Sequence, residues 1–200
     1  AIVKKYALHL SDEALSCLEA PTPNHLSNVE THITGSVRAL CAAAQDAAQK
    51  LGFQCRMLTD CLDCEAREAG RFLASIARSH QQTERPLAFF AGGETVVHLT
   101  GQGLGGRNQE LALAAAPGLR GTQNTAVCSF GSDGTDGPTD AAGGFVDQDS
   151  DAALCAAGYD AAQVLAENDA YHALQRIGGL LMTGPTGTNV NDLAMVLIWR

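Results

Sequence analysis

From Ser36 onward, apolar and polar residues alternate with two distinct periods. Val37, Leu40, Cys41, Ala44, Ala47, Ala48 and Leu51 recur at helical spacing, with Ser36 placed to cap the start and Gly52 to stop the run. "FQCRML" then predicts a strand. Ala66, Ala69, Leu73, Ile76 and Ala77 line one face of a second helix, about Glu65 to Ser79. The apolar runs "PLAFFAGG" and "TVVHLTG", with Gly92 and Gly93 at the bend, predict two strands in a hairpin-like antiparallel pair. A helix over Asn108 to Ala116 follows, then the strand "TAVCSFGS" and a Gly/Asp/Thr loop from Asp133 to Gly144. Two short helices are expected near Asp160 to Asn168 and Asp169 to Ile177. The chain closes with "LLMTG", a second Gly/Thr loop and the strand "LAMVLIW".

Upstream, "EAPTPNHLSN" has the composition of a loop or linker, and "ETHITGS" from Glu30 predicts a strand. Residues 1–29 therefore read as an inter-domain connector and residues 30–200 as a folded domain. Strands alternating with helices predict an α/β fold, a mixed β-sheet with flanking helices.

Charge and cysteine usage narrow the function classes. A formal net charge of −9 without a basic stripe argues against nucleic acid. The longest apolar run, "LAMVLIW", is too short to span a bilayer. "AIVKKYALHLSDEA" lacks a cleavable hydrophobic segment, and seven cysteines is an odd count; the expectation is reduced thiols in a cytoplasmic or mitochondrial protein, not a secreted one. "CLDC" (Cys61 to Cys64) is flanked by Asp60, Asp63 and Glu65, which should disfavour the thiolate, and no second pair completes a zinc set.

The candidate chemistry lies in three loops. "GQGLGG" satisfies G-x-G-x-x-G at Gly101, Gly103 and Gly106, but the next strand offers no acid for a ribose until Asp133. No Walker loop is present. The alternative use of Gly103, Gly105, Gly106, Arg107 and Asn108 is an anion site, with backbone N–H groups at a helix start and a guanidinium able to fork two oxygens. "FGSDGTDGPTDAAGG" places Asp133 and Asp136 after a strand, where carboxylates are able to hold Mg2+ or simply build turns. "TGPTGTNVNDL" offers uncharged donors at Thr186, Thr188, Asn189 and Asn191, suited to a phosphate or a polyhydroxy acid.

Four ordered stretches, "GGET", "GQGLGGRNQELAL", "GSDGTDGPTDAAG" and "TGPTGTNVNDL", resemble successive signatures of the C-terminal, or MOFRL, domain of the glycerate kinases. "ITGSVRALCAAAQDAAQKLGF" and "EAREAGRFLASIAR" resemble the segment leading into it, so the resemblance covers roughly Thr31 to Ile198. It implies the C-terminal domain of a two-domain, ATP- and Mg2+-dependent kinase acting on D-glycerate in an inter-domain cleft. It also implies that Arg107 is catalytic, and that an N-terminal α/β/α domain supplying an essential lysine is missing from this chain, which alone would be inactive. "CLDC" departs from the family, which commonly has a glycine and no cysteine pair there. The competing readings are an NAD(P)-dependent hydroxypyruvate reductase and a catalytically silent small-molecule-binding domain.

Overall fold

The computed structural model describes residues 2–200, and the chain divides into two compact units, Ala1–Ile33 and Thr34–Arg200. The first unit carries two short helices, α1 (Ile2–Lys5) and α2 (Asp12–Glu19). Ser11 caps α2 by accepting from the Ala14 N–H, at 3.3 Å. Neither helix buries a residue. The strand expected from Glu30 does not form: residues 30–35 are exposed and irregular. Their alternation satisfies strand propensity, but propensity counts only where a pleated neighbour exists to pack against.

The second unit is α/β. Its elements are α3 (Val37–Lys50), β1 (Gln54–Leu62), α4 (Ala66–Ser79), β2 (Leu87–Gly93), α5 (Arg107–Leu119), β3 (Thr125–Gly131) and β4 (Gly143–Asp147). They are followed by α6 (Ser150–Ala156), α7 (Ala161–Ala166), α8 (Ala170–Arg176), β5 (Leu180–Leu181) and β6 (Asp192–Ile198). The six strands form one mixed sheet in the order β1-β2-β6-β3-β4-β5. β1 and β2 are parallel, joined through α4, and every other neighbouring pair is antiparallel.

β2 is buried along its whole length, which explains its unbroken apolar run. Phe89 and Ala91 face the larger core with α4 and α5, while Ala88 and Phe90 face a smaller one with α3. Ser36 caps α3 as expected, accepting from the Ala39 N–H at 3.2 Å. α4 and α5 pack closely through small residues: a Cβ at Gly70 would collide with the Leu111 carbonyl.

Two local expectations are corrected. β2 does not turn back into a hairpin, because Thr95–Gly101 forms no strand. The segment runs along the β1–α4 turn instead, with Glu94 N–H donating to Leu62 O (2.8 Å) and Val96 N–H to Cys64 O (3.1 Å). The loop expected to reach Gly144 ends earlier, in β4, and α6 follows where no helix was expected. Among the described residues, no helix is long and apolar enough to cross a membrane.

Candidate active site

α5 begins at Arg107, with Gly106 as an N-cap that has no side chain to offer. The orphan N–H groups of the first turn are met by a carboxylate from the β3–β4 loop. Asp136 Oδ1 accepts from the Asn108 N–H (3.1 Å) and Nδ2 (3.2 Å), and Oδ2 accepts from the Gln109 N–H (2.9 Å). Gln109 Nε2 also donates to Thr139 Oγ1, at 2.8 Å. A Cβ at Gly106 would occupy the space of the Asp136 carboxylate, so that glycine admits the cap. Burial pushes the Asp136 pKa up to about 6, against the pull of the Gln109 and Asn108 donors and with the Asp192 charge adding to the rise.

This arrangement changes what the expected residues do. The anion at the start of α5 is the protein's own Asp136, whose two oxygens accept from Asn108 and Gln109. Asn108 is a buried scaffold residue that also accepts from Ser129 Oγ, at 2.5 Å. Asp133 Oδ1 accepts from the Thr135 N–H at 3.0 Å. Among the described residues, no three His, Cys, Asp or Glu side chains are gathered to hold a metal ion.

The glycine loop is turned toward the protein. Asn168 Oδ1 accepts from the N–H groups of Thr100 and Gly101, both at 2.8 Å. Gly103 N–H donates to Glu167 O (2.8 Å) and Leu104 N–H to Asp169 Oδ1 (2.9 Å). A Cβ at Gly101 would collide with the Glu167 backbone, and one at Gly103 with Asp169. These glycines let the loop lie on the α7–α8 junction; they do not open it to a pyrophosphate. Asn168 Nδ2 in turn donates to the buried Glu110 Oε1, at 2.6 Å. Burial raises the Glu110 pKa, opposed by Asn168 and Arg67.

Arg107 is also engaged. Nε donates to Asp192 Oδ2 (2.5 Å), Nη2 to Asp192 Oδ1 (3.0 Å), and Nη1 lies 3.4 Å from Glu94 Oε1. Its side chain is 31% exposed against 8% for Asp192, so the pair is anchored on the buried partner and reachable from the other side. Asp192 opens β6 and stands in register with Gly93 of β2 and Gly131 of β3.

A cavity of about 820 Å3 lies beside Arg107, bordered by Gly103, Gly105, Gly106, Thr95 and Pro138. Thr186 and Thr188 border a different cavity, of about 380 Å3, with Ser36 and Leu40. The loops carrying these residues are tied together: Thr186 N–H donates to Asp133 O (3.1 Å), Thr186 Oγ1 to Ser132 O (2.5 Å) and Val190 N–H to Ser132 Oγ (2.8 Å). Asn189 is exposed and its Oδ1 accepts from the Asn191 N–H, at 3.3 Å. The two hollows have different linings, and Gly137 and Pro138 of the Asp133 loop join the glycine loop around the larger one.

The sequence profile of the MOFRL family matches residues 87–192, a stretch that holds the glycine loop, Arg107, Asp136 and Asp192. The chain belongs to the MOFRL family. It is 52% identical over 201 residues to a D-glycerate 2-kinase of Thermotoga maritima, covering 98% of this chain and 48% of that protein. A crystal structure of a glycerate kinase from the same organism superposes with a TM-score of 0.88 at 52% identity, over 98% of this chain and 49% of the other. A protein of Agrobacterium vitis with a provisional hydroxypyruvate reductase name is 36% identical, over 99% of this chain and 47% of its own length. The MOFRL chain therefore spans about half the length of these relatives.

Two residues of the candidate site were not singled out from the sequence. Asp192 reads as the polar residue before an apolar strand; its signal is a lone carboxylate opening a mostly buried run. Asn168 reads as a helix end, and its positive φ of 54° is the one trace of its unusual place. "CLDC" joins no site here: all seven cysteines are free thiols, with Cys61 and Cys64 exposed.

Proposed function

We propose that this chain is part of an ATP-dependent kinase that phosphorylates a hydroxyl of D-glycerate, acting in the cytoplasm or a mitochondrion. The observation that carries the reading is the identity to a D-glycerate 2-kinase across nearly the whole chain, which spans the residues building the Arg107 cavity. Phosphoryl transfer asks the protein mainly to position the two substrates and to offset developing charge. Arg107 suits that task. Asp192 fixes its plane, and its Nη1 would serve a substrate carboxylate by exchanging Glu94 for it. Gly103, Gly105 and Gly106 set the backbone wall around it, and Thr186 and Thr188 border the second hollow. The resemblance to the family assigns an essential lysine to the remaining half of its length. Of the two carboxylates expected to hold Mg2+, Asp136 caps the start of α5 and Asp133 turns its Oδ1 to the Thr135 N–H.

The oxidoreductase alternative has a relative's name in its favour. Against it stands the packing of Gly101 and Gly103 on the α7–α8 junction, where a dinucleotide loop would present its backbone to the cofactor. A protein of full family length should consume ATP with D-glycerate and leave NADH untouched with hydroxypyruvate. NADH oxidation without ATP consumption would transfer the assignment to the reductase, and silence in both assays to a binding domain.

A further inference from the structure

Thr95 is 5% exposed and lines the cavity beside Arg107. Among the described residues, three buried side-chain polar atoms lack a hydrogen-bond partner: Arg67 Nε, Thr95 Oγ1 and Gln109 Oε1. Arg67 Nε has an ion-pair partner in Glu65 at 2.8 Å, and neither Arg67 nor Gln109 borders the cavity. Leaving a buried hydroxyl unpaired is unfavourable, and such a group in a native structure calls for a reason. Thr95 is also held firmly. Its neighbours Glu94 and Val96 are bonded to Leu62 and Cys64, so the hydroxyl cannot swing away with its backbone.

We infer that the Thr95 hydroxyl contacts the acid substrate and helps determine its specificity; this rests on the glycerate kinase reading. Arg107 only donates, whereas a threonine hydroxyl both donates and accepts, so together they match a carboxylate flanked by a hydroxyl. The charge balance limits the ligand. Arg107 stands beside Asp192 and Glu94, and Glu110 also lines the cavity, so there is no net positive charge to hold a polyphosphate. A singly charged, small 2-hydroxy acid is the anion that asks least of it. Thr95 also borders a void of about 10 Å3 with Asn108, Ser129 and Asp192, which has room for about one water. A purely structural use of Thr95 would serve that void instead.

The test is Thr95→Val, Thr95→Ser and Thr95→Ala in a protein of full family length, with KM for D-glycerate and for ATP, kcat and Tm measured for each. Val removes the hydroxyl at nearly constant shape, and Ala guards against a misfolded Val variant. The expected result is a KM for D-glycerate raised about 10-fold or more in Val and Ala, with KM for ATP within about 2-fold. Tm of the Val variant should be unchanged or higher, and Ser should restore most of the affinity. An unchanged KM for D-glycerate, a change confined to ATP, or a lowered Tm with normal KM would each overturn the inference. A wild-type protein that does not phosphorylate D-glycerate would overturn the kinase reading and this contact with it. An active wild type with an unaffected Val variant would overturn the contact alone.

Discussion

Arg107, the first residue of α5, is forked by Asp192, the first residue of β6, although 85 positions separate them in sequence. The pairing makes the direction of the guanidinium a property of the sheet and not of a loop. Asp192→Asn keeps the shape but removes the charge, and Asp192→Ala removes both. Each leaves Arg107 without its buried counter-charge, at a cost of about 1–3 kcal/mol, reduced from the fully buried case because Arg107 is partly exposed. Chemical denaturation measures that loss. In a protein of full family length kcat should fall more than Tm alone explains, since a loosened guanidinium loses its preorganisation. Stability and kcat both equal to wild type would show that the pair has no role.

Asp136 gives the stability curve a slope opposite to that of an ion-paired aspartate. Its folded pKa is raised to about 6, from an ordinary value of about 3.9. Its contribution is therefore full below about pH 4 and is lost as pH rises through about 6. The loss is on the order of 2–3 kcal/mol. Urea unfolding at closely spaced pH values should show this decline in wild type. The difference between wild type and Asp136→Asn should carry the slope. A parallel pair of curves would assign the titration elsewhere.

The glycines of the Gly101–Gly106 loop are expected to matter for folding. Gly103→Ala sets a methyl group against Asp169, and overpacking of this kind costs about 1–3 kcal/mol. Tm should fall by several degrees or more in this chain without any ligand present. Unaltered Tm with impaired ligand binding would return the loop to the role of a cofactor cradle.

The 200-residue chain alone should unfold cooperatively yet leave D-glycerate unphosphorylated. Its second unit carries six hydrogen-bonded strands and two apolar cores, enough for a cooperative transition. The charge cage is not: removing a single electrostatic contact commonly costs about 10²–10³ in rate, and a missing wall costs positioning as well. An ATP-consumption assay before and after adding the remaining half in trans decides it. Full turnover by the chain alone would show that the proposed division of labour is wrong.

The helices α3, α4 and α5 and the strands β2, β3 and β6 were legible because each buries a face, and burial writes its period into the residues. β4 was hidden by Gly143 and Gly144, which pack against Ser129 and Leu174 without any apolar side chain to show it. The strand expected from Glu30 had the right residues and no neighbour. At the site, Arg107 and the glycine loop were visible as a cluster and Asp136 as a candidate carboxylate, but the pairings among them were not. Asp136, Asn168 and Asp192 act through backbone and side-chain contacts 27 to 85 positions away, a range over which local pattern carries no signal.

β6 follows every other strand in sequence yet lies between β2 and β3, hydrogen-bonded to both. During synthesis, the ribosome must therefore release residues up to about Ile198 before the middle of the sheet is filled. Until then β2 and β3 each expose an unpaired edge, the kind of surface that recruits chaperones or neighbouring chains. Arg107 gains its carboxylate in that same event. The protein thus completes the Arg107–Asp192 pair and closes its sheet in one step, and nascent chains stalled before Asp192 should be substrates for cellular quality control.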